Sequence, residues 1–273
     1  MDNFAHKKRI LEENNKRKKE NAILRHKYIE HKKYVSYINK CLEKLIIYYY
    51  PTNKKMRYGI NTDGGYVIAD LDTIYDCYIS CGVSNEESFS KDFIEKQQMT
   101  KQNSFAYDGT IENYPYQYTN EITFVRKNIG QFNTNTTTNL EDLFSRYNNI
   151  FIKMDIEGGE YEWFKSLTTE KLDKISQLVI EFHGLTNDEF DTRQNKINCF
   201  SLFSSTHYPI HIHGNNCGPI NDNIPQVIEV TYIHKKFIQN PTYNTVPLPI
   251  KDLDYPNNTN IQDYHLTFKP FVF

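Results

Sequence analysis

Apolar and polar positions alternate with a changing period along the chain, and the changes mark out its elements. Residues 4–50 contain no Pro or Gly and are rich in Lys, Glu, Leu and Ile, which predicts a long helix. Its apolar residues are sparse at first (Leu11, Ile23, Leu24, Tyr28, Ile29, Val35), too sparse for a continuous coiled coil. From Tyr34 the apolar density rises through Ile38, Cys41, Leu42, Leu45 and Ile46, as expected of a segment that packs on a core. Short apolar runs then alternate with helical patterns. Strands are predicted at 75–80, 104–107, 123–127, 150–154, 177–182, 208–213 and 226–233, and helices at about 87–98, 140–147, 160–167 and 188–205. Strands alternating with helices imply a mostly parallel sheet with helices on both faces. The last two strands flank a segment rich in Gly, Asn and Pro and are expected to run antiparallel. The predicted organisation is a basic helical extension over 1–50, an α/β domain over 51–240, and a Pro- and Asn-rich tail over 241–273 that packs on the domain.

Charge sharpens this division. Residues 1–55 carry about fifteen Lys and Arg against six acids, while the whole chain of 273 residues has a net charge of -2. The remainder is therefore about -11, an asymmetry that flags an interaction arm. Three readings stay open for that arm: a solvated helix, a dimerisation helix that makes the chain a homo-oligomer, or a helix lying on a membrane surface. Hydrophobic residues make up only 38% of the chain, but 21 Tyr and 17 Phe supply large side chains for a core. The five cysteines are scattered and odd in number, which argues against a disulfide framework and for a reducing cytoplasm. Cys77 and Cys81 have no second pair nearby to complete a zinc site. No apolar run reaches membrane-spanning length, and the charged start of the chain does not read as a secretory signal.

The candidate chemistry gathers at predicted strand ends. In an open α/β sheet, ligands bind outside the carboxyl ends of the strands. The strand 150–154 leads into Asp155-Ile156-Glu157-Gly158-Gly159-Glu160, three carboxylates and two glycines at that edge. The strand 75–80 leads into Cys81-Gly82-Val83-Ser84-Asn85, where small residues let a nucleotide-like ligand approach backbone N–H groups. No GxGxxG is present, so the dinucleotide fingerprint is absent. Asp108 ends the next strand and is placed to accept the ribose hydroxyls of a nucleoside cofactor. The same Asp108-Gly109 pair also reads as a plain turn. Arg57 to Val67 carries an Asp63-Gly64-Gly65 turn signal: either a simple hairpin, or a segment presenting Arg57 and Asp63 to the charged ends of an amino-acid-like cofactor. Glu181 and His183 share one face of a strand end, as do His211 and His213. Asp155, Glu181, His183 and His213 thus form a candidate divalent-metal set of mixed N and O ligands.

Taken in order, Arg57-x-Gly59, Asp63-Gly64-Gly65-Tyr66, the 80–89 turn, Asp108, Asn139-Leu140-Glu141-Asp142-Leu143, Lys153-Met154-Asp155-Ile156-Glu157-Gly158-Gly159-Glu160, Glu181-x-His183 and His213 resemble FkbM-type methyltransferases over about residues 55–235. The segment at 153–160 is the most specific of these. The usual cofactor turn of that family, Asp-Val-Gly-Ala-Asn-x-Gly, is replaced here by Ser80-Cys81-Gly82-Val83-Ser84-Asn85. The resemblance implies a class I, Rossmann-like methyltransferase sheet, mostly parallel with an antiparallel terminal strand, preceded by the N-terminal helix. It implies S-adenosylmethionine (SAM) as cofactor, held by Arg57, Asp63, Gly65, Gly82, Ser84, Asn85 and Asp108. It also implies O-methylation of a sugar, nucleotide-sugar or glycan hydroxyl, with Asp155, His183 and His213 as catalytic residues and a divalent metal as a possible aid. Two alternatives are weaker. A nucleotide-sugar transferase needs a diphosphate grip, and neither a Gly-rich phosphate loop nor a DxD motif is present. A nucleic-acid methyltransferase would use the basic arm, but the acidic remainder repels phosphate.

Overall fold

The computed structural model describes residues 2–115 and 121–273. It comprises two compact units, Met1–Cys41 and Leu42–Phe273. The first is the body of α1 (Asp2–Leu42), a long basic helix whose large apolar residues Leu11, Ile23, Leu24 and Tyr28 are exposed. The helix stops at Leu42 and does not continue to 50. Further on, Ile46-Ile47 are β-branched and Tyr48-Tyr49-Tyr50 aromatic, and they run into Pro51, which favours extended backbone. Tyr48 accordingly forms a β-bridge with Tyr243 of the tail.

The second unit is built on a seven-stranded sheet. In chain order its strands are β1 (Cys77–Cys81), β2 (Ser104–Tyr107), β3 (Thr123–Val125), β4 (Ile150–Met154), β5 (Ile175–Phe182), β6 (His207–Gly214) and β7 (Ile228–His234). In space they lie in the order β3-β2-β1-β4-β5-β7-β6. All neighbouring pairs from β3 to β5 are parallel, and β7 is antiparallel to both β5 and β6. The last strand in the chain is therefore the antiparallel one, as expected, but it is inserted inside the sheet and not laid on its edge. Between the strands run α2 (Ser88–Gln97), α3 (Glu141–Arg146), α4 (Glu160–Phe164), α5 (Thr169–Leu172) and α6 (Arg193–Thr206). β4 and β5 are buried along their whole length, which explains the apolar runs Ile150-Phe151-Ile152 and Leu178-Val179-Ile180 within them.

Before β1, Lys55–Tyr58 and Tyr66–Ala69 pair antiparallel, so the Arg57–Val67 segment is a hairpin. Its inner residues Tyr58, Tyr66 and Ile68 join an aromatic core with Tyr78, Phe89, Phe93 and Phe151. Ring centroids there approach to 4.2 Å (Phe93 and Phe151) and 4.5 Å (Tyr78 and Phe93). Aromatic volume is how a chain of modest hydrophobic content fills this space. The tail is held inside the second unit: Leu248, Leu266 and Phe271 are buried, and Asn244 N–H donates to the Ile47 carbonyl. None of the five cysteines is joined in a disulfide. Among the described residues no helix is long and apolar enough to cross a membrane.

Candidate functional site

The sheet changes winding direction between β1 and β4. From β1 the chain steps outward to β2 and β3; from β4 it steps the other way to β5. A crevice opens at such a switch point, outside the carboxyl ends of the strands. A cleft of about 520 Å³ lies there, within the range of small-molecule sites. Its wall includes Gly82, Ser84 and Asn85 after β1, Asp108 after β2, and Asp155 and Glu157 after β4, with Asp63 and Gly64 from the hairpin.

Gly82 is the tightest point. Its φ is +82°, and a Cβ there would lie 1.6 Å from the Asp155 carbonyl oxygen. Only glycine permits this approach of the β1 and β4 ends. The buried Lys153 ties the same two ends, its Nζ donating to the Gly82 carbonyl at 2.8 Å.

Asp108 closes the turn from the other side. One carboxylate oxygen accepts from the Val83 and Ser84 N–H groups at 3.0 and 2.9 Å. The other accepts from the N–H and hydroxyl of Thr110 at 2.7 and 2.6 Å. Burial alone would raise its pKa, but the hydrogen bonds from Ser84, Thr110 and Val83 outweigh this and hold the carboxyl below its ordinary value. Asp108 thus moulds the turn after β1, and all four of its acceptor positions have protein donors.

Arg57 and Gly65 stand apart from the cleft lining. The Arg57 guanidinium donates to the carbonyls of Ile60 and Thr62 and so fastens the hairpin loop from within. Gly65 is required by that packing, since a Cβ would meet the Ile60 carbonyl at 1.9 Å.

Next to the cleft, β4, β5, β6 and β7 deliver a cluster of acids and imidazoles. The ligand atoms of Asp155, Glu181 and His183 lie within 4.8 Å of one another, and the same holds for Asp63, Glu181 and Glu229. His183 Nδ1 meets Glu160 Oε1 at 3.1 Å, which turns Nε2 toward Glu157 (3.3 Å), Glu181 (3.4 Å) and Asp155 (4.0 Å). Burial disfavours the imidazolium, but Glu160, Asp155 and Glu157 prevail and raise the His183 pKa. The Tyr66 hydroxyl sits between Asp155 Oδ2 (3.0 Å) and Glu181 Oε2 (3.4 Å). Burial, and then Asp155, Glu229 and Asp63, push the Glu181 carboxyl well above its ordinary range.

Residues 25–207 match the methyltransferase FkbM domain. The chain belongs to the FkbM methyltransferase family. No curated protein and no solved structure gives a significant match.

His213, which lies beyond the matched residues 25–207, departs from the sequence reading. It is not part of the Asp155, Glu181 and His183 set. Its Nδ1 pairs with Glu229 Oε2 at 3.2 Å and its Nε2 with Asp263 at 3.1 Å. Burial opposes its charge, yet Glu229 and Asp263 lift its pKa to about 10. An imidazole that keeps its proton at neutral pH balances acids and does not accept protons. His211 is likewise turned to its own partner, Asp254, at 2.8 Å.

Several contributors escaped the sequence reading. Glu229 stands opposite both Glu181 and His213 in the β-ladder. Being the lone acid of its strand was its one signal. Asn215 donates to Glu181 Oε1 at 2.9 Å from the Gly-Asn-Asn turn after β6. The tail supplies Asp263 and Asn257, whose side-chain amide donates to Asp63 (3.0 Å) and Glu229 (2.7 Å). Nothing in the local sequence of the tail pointed to the site.

Proposed function

We propose that this FkbM-family protein is a SAM-dependent O-methyltransferase acting on a sugar or glycan hydroxyl, with the β3-β2-β1-β4-β5-β7-β6 sheet as a class I methyltransferase fold. The observation that carries the reading is the adjacency of two things: a nucleoside-sized cleft at the switch point, and an oriented histidine beside carboxylates at the next strand ends. The cleft residues fit a nucleoside cofactor. Gly82 and Ser84 keep the wall low, and of the four donors on Asp108 the Thr110 hydroxyl can rotate away, releasing an acceptor position for a ribose hydroxyl. When bound, SAM supplies an electrophilic methyl group.

The chain's own residues then have two tasks, holding the acceptor oxygen in line and removing its proton. His183 Nε2, open toward the carboxylates of Glu157, Glu181 and Asp155, is placed to take the proton of an acceptor hydroxyl held there, while a bound SAM would supply the methyl group. Glu160 holds the His183 ring through Nδ1 and stabilises its positive charge, the logic of an oriented base. The same geometry fits a divalent metal on Asp155, Glu181 and His183, because a ligating histidine normally donates its other N–H to a carboxylate. A metal there would lower the pKa of the acceptor hydroxyl.

Calorimetry with SAM, followed by transfer of labelled methyl to sugar acceptors with and without chelator, tests the proposal. Alanine at Asp155 or His183 is expected to slow transfer by ~10²-fold or more. Loss of activity with chelator, restored by Mg²⁺ or Mn²⁺, selects the metal route; indifference to chelator selects the histidine base. Absence of SAM binding overturns the reading.

A further inference from the structure

The loop between β5 and α6 carries an aromatic ring that the fold places with care and does not bury. Phe190 remains 40% exposed. Its ring lies against two glycines, one after β4 and one after β5. A Cβ on Gly158 would fall 2.1 Å from Phe190 Cδ1, and one on Gly184 would fall 2.7 Å from Cδ2. Both glycines have positive φ, +99° and +66°. The seat for this ring therefore exists only because both loop positions lack side chains. The ring stands edge-on to His183, with centroids 6.1 Å apart and planes at 78°.

The loop is also braced. The fully buried Lys196 of α6 donates from Nζ to the carbonyls of Gly184 and Asn187. Thr192 caps α6 by accepting from the Asn195 N–H, and Asp191 pairs with Lys165 at 3.0 Å. Phe190 is thus held between two anchored ends, beside the imidazole at which the proton is to be removed.

The exposed part of this ring, fixed beside His183, offers a ligand an apolar surface to cover. Its surroundings narrow the choice. Glu157, whose side chain is 86% exposed, reaches to 3.3 Å from His183 Nε2. The adjoining cleft is lined by Asp63, Glu86, Asp108, Asp155 and Glu157 against one cation, Lys153, whose amine is engaged by the Gly82 carbonyl. Phosphate is repelled by such a lining. A sugar ring matches it: its C–H face carries slight positive charge and stacks on the negative face of an aromatic ring, while its hydroxyls donate to carboxylates.

Resting on the methyltransferase reading, we infer that Phe190 is the acceptor platform and that the acceptor is an uncharged pyranose ring, not a nucleotide diphosphate sugar. Phe190 selects the acceptor by stacking on it and presents one ring hydroxyl to His183.

The test uses the full chain with labelled SAM and two acceptor classes: neutral methyl pyranosides and UDP-sugars. Neutral pyranosides are expected to be methylated in preference. Phe190→Leu keeps apolar bulk against the two glycines but removes the ring face; Phe190→Trp keeps a face. Phe190→Leu is expected to raise KM for the pyranoside at least ~10-fold, with the loss falling on KM more than on kcat, and Phe190→Trp is expected to retain most of the affinity. SAM binding, measured separately, is expected to be the same in all three proteins. Preference for UDP-sugars overturns the inference, as does a Leu variant with wild-type KM or the absence of any turnover by a protein that binds SAM. Failure of the wild type to bind SAM strikes the methyltransferase reading instead.

Discussion

Replacing Asp108 by alanine removes one carboxylate that serves four donors, and its effect can be worked from those contacts. The Val83 N–H is buried and would be left without an acceptor, at about 1–3 kcal/mol. The Ser84 and Thr110 donors are partly buried and can turn to water, so each forfeits only the net worth of a charged hydrogen bond, and these losses are not additive. The expected destabilisation is about 2–4 kcal/mol, read as a lower midpoint in urea with unchanged slope. Asparagine is a poor rescue, because its NH₂ must face donors on one side or the other. The pH dependence has a definite sign. The folded pKa of Asp108 lies below its unfolded value, so its contribution is complete above about pH 4 and is lost as pH falls through the folded pKa. The gap between wild type and Asp108→Ala should therefore be full at neutral pH and narrow below about pH 4. SAM affinity should fall along with stability, since the Val83–Ser84 turn loses its brace. A variant within ~0.5 kcal/mol of wild type at pH 7, with SAM affinity intact, would refute the reasoning.

Two further outcomes are expected. Gly82→Ala should destabilise by about 2–5 kcal/mol, combining a positive φ with overpacking against a backbone carbonyl, and calorimetry should find no SAM binding; native stability in this variant would contradict the close approach described at β1 and β4. Removal of residues 1–35 leaves the buried Tyr37, Ile38 and Cys41 in place and is expected to preserve SAM affinity, whereas a folded protein that no longer binds SAM would assign the helix to the site.

What the sequence disclosed depended on how local each signal was. β4 could be read because both its faces are covered, leaving five buried residues in a row followed at once by Asp155. Glu181 and His183 could be grouped because a period of two is a property of the strand itself. Gly82 and Asp108 followed from their positions at strand ends. The end of α1 was misjudged because the absence of Gly and Pro says where a helix is permitted, not where β-branched residues prefer to stop it. The partners of the site were out of reach for a different reason. Tyr66 meets Asp155 across 89 residues, and Asp63 meets Asn257 across 194. His213 was assigned by its place on a strand end, but its role depends on Asp263, 50 residues later in a segment with no periodicity. Pairings over such distances leave no spacing rule in the chain.

The tail's share in the site also bears on synthesis. Asp254, Asn257 and Asp263 neutralise or bridge His211, Asp63, Glu229 and His213, residues that leave the ribosome well before them. Until those three emerge, the nascent chain carries acids and imidazoles in its interior without their counterparts. The strands can pair earlier, but this cluster of acids and imidazoles can settle only once residues 254–263 are made, so a stalled or clipped product lacking them would be a sheet without a finished cluster.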